Sequence, residues 1–121
     1  MKTKLFILFF LIIALSAFSQ AQPKAIKSNF TVYGNCVICK ERIETVLDHN
    51  GIKQAKWDTK TKALHVVYNP AKISELQIHQ LIASVGHDTD KVKAKDEVYA
   101  ELPYCCLFRD HDMPANSDSH K

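Results

Sequence analysis

The sequence predicts an α+β domain whose elements run strand, helix, strand, strand, helix, strand. The expected architecture is a four-stranded antiparallel sheet with both helices on one face. Three observations predict it: apolar residues alternate with period two in four stretches, they recur at helical spacing in two others, and glycine or a capping signature stands at the helix boundaries.

The first strand is "IKSNFTVY", residues 26–33, where Ile26, Ser28, Phe30 and Val32 oppose Lys27, Asn29, Thr31 and Tyr33. From Cys36 the period changes. Cys39, Ile43, Val46, Leu47 and Asn50 fall on one helical face, with Lys40, Glu41, Glu44 and Asp48 pointing away, and Gly51 is the natural stop. "IKQAKWD", 52–58, and "ALHVVY", 63–68, alternate again around the turn "TKTK", so they read as a hairpin. Ser74 with Gln77 is a capping box; Ile78, Leu81, Ile82 and Val85 follow at helical spacing, and Gly86 closes that helix. "KVKAKDEVYA", 91–100, is the weakest strand, with Val92, Ala94 and Val98 on one side. Two right-handed crossovers around a central hairpin make this order the ferredoxin-like split unit, βαββαβ.

The chain has 121 residues, 46% hydrophobic and 24% charged, which suits one small globular domain. Residues 1–19 read as a secretory signal peptide: Lys2 and Lys4 precede an uncharged apolar run from Leu5 to Leu15, and small residues, Ala17 and Ser19, stand before the expected cut at Gln20. Cleavage there leaves a periplasmic or secreted chain with no second apolar run and no stable membrane insertion. It also removes two lysines of 16 basic residues, leaving 14 against 13 acidic and a formal charge of +1, so nucleic acid is not an expected partner. Lys91, Lys93 and Lys95 read as a solvated face. Paired-acid, serine-nucleophile and phosphate-loop motifs find no match, which argues against an enzyme.

The chemistry lies in four cysteines: Cys36, Cys39, Cys105 and Cys106. Cys36 and Cys39 straddle the start of the first helix, where unpaired backbone amides favour thiolates. Two such donors suit Cu(I) or Hg(II), and with added ligands Zn(II). The same spacing serves a disulfide or a thiol–disulfide redox module, so three readings stay open at this point. Gly34 is read as the loop's hinge. Adjacent Cys105 and Cys106 are badly placed to pair with each other and suggest outside partners: a second thiol site bridging to the first loop or to another chain in a metal-bridged dimer, disulfides to Cys36 or Cys39, or no metal role. His87, after Gly86, sits on a loop that folds back toward the first, as a third ligand or a surface residue. His49, near the far end of the first helix, reads as a partner of its terminal carbonyls, His65 and His79 read as exposed, and Met113 with His111 and His120 as part of a polar tail.

Residues 26–98 resemble the heavy-metal-associated domain of copper chaperones, metal-transporting ATPase amino-terminal modules and the periplasmic mercuric-ion-binding protein. The hallmark there is Gly-Met-x-Cys-x-x-Cys after the first strand; here it is Gly34, Asn35, Cys36, Val37, Ile38, Cys39, shorter by one residue and without the methionine. The resemblance implies Cys36 and Cys39 as ligands of a soft ion, Cu(I) first, passed to or from an envelope metal transporter or metal-binding protein; mercuric-ion binding and detoxification is the related alternative. It implies nothing about residues 99–121, a cysteine-containing extension expected to be partly disordered.

Overall fold

The computed structural model describes residues 24–111. The expected signal peptide, Met113, His120 and the rest of the expected disordered tail lie outside the described residues, as does the side chain of His111.

Three antiparallel strands form the sheet: β1 (Ile26–Thr31), β2 (Ile52–Trp57) and β3 (Ala63–Tyr68), in the order β1-β3-β2. Alternation in β3 sets the faces. Leu64, Val66 and Tyr68 are buried while His65 is exposed. Register then lines Phe30, Leu64 and Trp57 across the sheet in one buried row. The β2–β3 turn is held by Asp58, whose carboxylate accepts from the amides of Lys60 at 2.7 Å and Thr61 at 2.9 Å.

On the core side of the sheet lie α1 (Val37–Val46) and α2 (Glu75–Ser84), which touch each other. Ile43 of α1 and Ile78 and Ile82 of α2 are fully buried in the cluster that holds Leu64, Val66 and Trp57. Each such aliphatic side chain contributes about 1.5–3 kcal/mol. The capping box forms as expected: Ser74 Oγ accepts from the Gln77 amide at 3.2 Å, and Gln77 Oε1 accepts from the Ser74 amide at 2.9 Å.

The expected fourth strand is absent among the described residues. Beyond Gly86 (φ +99°) the chain meets the free edge of β1 at a single bridge, Val32 with Thr89, flanked by Tyr33 N–H to Asp88 O at 2.9 Å and Asp90 N–H to Thr31 O at 3.2 Å. This is where a fourth strand would lie, but Thr89 turns the chain away: its amide donates to Val92 O at 2.8 Å and its hydroxyl accepts from the Val92 amide at 3.0 Å. Asp96 and Glu97 then occupy the favourable first turn of α3 (Asp96–Ala100), where the strand was expected to end. A 3-10 turn (Tyr104–Cys106) and α4 (Phe108–His111) follow, so residues 99–111 are structured.

His79 is also corrected: it is fully buried, not exposed. It stacks on Phe30 with centroids 3.8 Å apart, its Nδ1 lies 2.6 Å from Thr89 Oγ1, and its Nε2 lies 3.5 Å from Glu75 Oε1, an ion-pair separation without a hydrogen bond. Burial lowers its pKa from the ordinary 6.5; Glu75 and Asp90 pull partly the other way, and Lys91 adds to the lowering. The unfolded chain therefore takes up a proton near pH 6.5 while the folded chain still refuses it, and stability is lost as pH falls through that value. The urea midpoint of the reduced protein should fall between about pH 7.5 and about pH 5.5, by at most about 1.4 kcal/mol per pH unit for this group. His79→Gln should flatten the dependence, and an unchanged slope in that variant would contradict the assignment.

Candidate metal centre

The cysteine loop leaves β1 and is laid directly on Trp57. The indole is fully buried, and its Nε1–H donates to Val32 O at 3.0 Å and Lys62 O at 3.2 Å. Gly34 crosses above it: a Cβ there would stand 3.1 Å from Trp57 Cη2 and 3.1 Å from Cys39 Cβ. A Cβ would force one of these neighbours to give by a few tenths of an ångström, so the close approach favours glycine. Tyr33, one residue earlier, is held at both its peptide groups. Its N–H bonds Asp88 O at 2.9 Å, and its carbonyl accepts from His87 Nδ1–H at 2.8 Å.

Cys36 is the N-cap of α1 and Cys39 lies in the first turn, fully buried. Their sulfurs are 3.5 Å apart, and the Asn35 amide donates to Cys39 Sγ at 3.3 Å. The third sulfur comes from the far end of the chain. Cys106 Sγ is 3.9 Å from Cys36 Sγ, and the sulfurs of Cys36, Cys39 and Cys106 all lie within 4.8 Å of one another. Cys105 stands beside this set with its sulfur 4.0 Å from that of Cys106, half-exposed and outside the group of three. All four cysteines are free thiols.

Electrostatics divides the four. Burial pushes the Cys36 thiol up, but the Cys39 amide, the thiols of Cys105 and Cys39 and the Ile38 amide outweigh it and bring its pKa from an ordinary 9.0 to about 7. Cys36 makes no formal capping bond, so this is the pull of nearby helix-end amides and thiols on its sulfur. Cys106 moves far the other way, first through burial and then through its bonds to the sulfurs of Cys39 and Cys36. Cys105 rises too, mainly because its thiol is held by Cys36. Cys36 thus gains thiolate character near neutral pH beside the raised thiols of Cys105 and Cys106, and a soft cation arriving there replaces protons with sulfur bonds.

His87 is neither surface residue nor member of the sulfur group. It is fully buried, stacks on Phe108 with centroids 5.7 Å apart, and its Nε2 has no hydrogen-bond partner among the described residues. Burial lowers its pKa; the Tyr33 carbonyl and Asp88 act against this, and Arg42 acts with it. His49 and His65 are exposed, and His65 pairs with Asn29 across the sheet.

Pattern reading missed the residues that hold the extension down. Arg109 donates to Asp88 through Nη2 at 2.8 Å and Nε at 3.0 Å, and to Asp96 and the Ala94 carbonyl. Its guanidinium lies 4.2 Å from the Tyr99 ring centroid. Phe108 is buried between Tyr33, His87 and Tyr99. The one advance signal was an arginine and aromatic residues inside a segment otherwise rich in Asp, His and Ser.

No protein-family model matches the sequence, and neither does any curated protein. Solved structures do. The metallochaperone CopZ matches with TM-score 0.51 and 24% identity over 53% of this chain and 98% of its own. Oxidized MerP from Ralstonia metallidurans matches with TM-score 0.52 and 18% identity over 55% and 94%. The N-terminal domain of a potential copper-translocating P-type ATPase from Bacillus subtilis, in its Cu(I)-loaded state, matches with TM-score 0.52 and 25% identity over 54% and 84%. The fold is that of the heavy-metal-associated domain. Heavy-metal-associated domains are metallochaperone-type binding modules, not enzymes. These neighbours cover just over half of this chain.

In the reduced, metal-free protein, alkylation by iodoacetamide should strike Cys36 ahead of Cys106, with a rate that rises through a midpoint at about pH 7. Peptide mapping across a pH series checks this. A Cys36 midpoint near the ordinary 9.0 would contradict the electrostatic account.

Proposed function

We propose that the mature chain carries a soft metal ion, Cu(I) first, in the cell envelope and passes it to or from a metal transporter or metal-binding protein. The observation that supports this reading is the convergence of free sulfurs at the mouth of α1, with Cys36 and Cys39 3.5 Å apart and Cys36 half-ionised near neutral pH. Sulfur donors select soft ions over hard ones, and a thiolate ligand can be exchanged for a partner's thiolate without freeing the ion into water. Cu(I) is placed first because one neighbour is a domain of a potential copper-translocating P-type ATPase solved in its Cu(I)-loaded state. Hg(II) and Zn(II) are the other soft or borderline ions the sulfurs would accept. A P-type ATPase amino-terminal domain among the neighbours makes a transporter the first partner to seek.

The low pKa and close sulfur contact equally suit thiol–disulfide exchange, which is the second reading. Replacing Cys36 and Cys39 together by serine should lower Cu(I) affinity, titrated anaerobically under reducing conditions, by more than the roughly 100-fold that disturbing an outer shell costs. Unchanged affinity in a folded double variant would remove the metal reading. Insulin reduction by the wild type would then leave exchange as the function.

A further inference from the structure

Sulfur separations distinguish a pair of ligands from a trio. With metal–thiolate bonds of about 2.3 Å, a linear pair needs sulfurs about 4.6 Å apart, while three thiolates around one ion sit about 4.0 Å apart. Cys36 and Cys39, at 3.5 Å, would have to open by about 1 Å for the first arrangement and by about half that for the second. Cys106 already lies 3.9 Å from Cys36 and within 4.8 Å of Cys39.

The segment that delivers Cys106 is fastened to the metal loop itself. Two residues after Cys106, Phe108 packs on Tyr33 and His87. Arg109 grips Asp88 with two hydrogen bonds, both partners being about one-seventh exposed (14% and 15%). Asp88 in turn receives the Tyr33 amide on its backbone carbonyl, so the same residue anchors the loop and the extension. The bidentate geometry makes the Arg109–Asp88 pair directional, and removing one partner would leave the other charge mostly buried and uncompensated, which costs far more than losing a surface ion pair.

Building on the metal reading above, we propose that the C-terminal extension is a cap on the site: Cys106 completes a three-thiolate site for the soft ion, and the Arg109–Asp88 clasp keeps it there until an acceptor displaces it. Cys39 and Cys106 are fully buried, whereas Cys36 is half-exposed, so an incoming thiol approaches on the Cys36 side. In the exchange the acceptor thiol loses its proton as its sulfur bonds the ion, the bond to Cys106 breaks, and the Cys106 thiolate takes up a proton. No electron moves. The cap thus makes this chain a retaining carrier whose release is governed by its own tail.

The test uses the full mature chain, reduced, anaerobic and loaded with Cu(I), as wild type, Cys106→Ala and Arg109→Gln. X-ray absorption should count three sulfurs in the wild type and two in Cys106→Ala. Removal of the ion by bathocuproine disulfonate should be about tenfold faster or more in Cys106→Ala, equivalent to about 1.4 kcal/mol of lost retention. Arg109→Gln keeps every sulfur and should retain the three-sulfur spectrum while releasing the ion several-fold faster, which keeps the proposal testable if the buried Cys106→Ala change unfolds the chain. A wild type with two sulfurs, or variants that release the ion at the wild-type rate, would overturn the cap. A folded wild type that takes up no Cu(I) would overturn the metal reading itself, and the cap with it.

Discussion

Everything at the site depends on a close approach between backbone and indole. The loop after β1 delivers Cys36 to the N-cap of α1 by passing Gly34 between Trp57 and Cys39, with 3.1 Å to each from the position a Cβ would take, a spacing tight enough to favour glycine. Trp57 in turn is fixed by donating to Val32 O just past β1 and to Lys62 O at the end of the β2–β3 turn. Helix geometry does the rest: three residues further on, Cys39 returns to the same face one turn into α1, and the free amides at that end bear on the sulfur of Cys36. A floor of aromatic packing therefore becomes an electrostatic property, a thiol half-ionised near neutral pH.

The extension answers a second constraint. A three-stranded sheet with two helices leaves an edge of β1 and one end of the core uncovered, and in this chain the covering is done by a fold-back instead of a strand. Leu102, Cys106 and Phe108 enter the main core, so the segment adds apolar burial as well as a sulfur. The clasp at Arg109 decides where it sits. An arginine fork on a mostly buried carboxylate is directional, and Asp88 is itself tied to the Ala94 amide at 2.7 Å and to Tyr33. Packing supplies the attraction, and the ion pair supplies the register that places one cysteine of the adjacent pair inside the sulfur group and leaves the other outside.

Much of this was legible from the order of residues, and what was not has a physical reason. The three strands and two long helices announce themselves through periods that one layer of burial imposes, and the cysteine pair at the start of α1 follows from where those periods change. The fourth strand misled because Val92 and Ala94 alternate for only two positions. Val98, Tyr99 and Leu102 beyond them suit a helix, and the Thr89 turn has already taken the chain off the sheet edge. The histidines misled for a related reason. Whether His79 or His87 is buried is decided by Thr89, Phe30, Tyr33 and Phe108, partners from distant segments that no local pattern contains. Gly34 was recognised, but its role as a spacer depends on Trp57, twenty-three positions away in a strand.

The central claim is that sulfurs from the two ends of the described chain hold one soft ion between them. It is tested most directly by loading the reduced mature protein with cadmium and recording a proton–cadmium correlation spectrum, which reports ligating cysteines through bonds. The account predicts one cadmium resonance coupled to the β-protons of Cys36, Cys39 and Cys106. A cadmium resonance without coupling to Cys106, or with coupling to neither Cys36 nor Cys39, would contradict it.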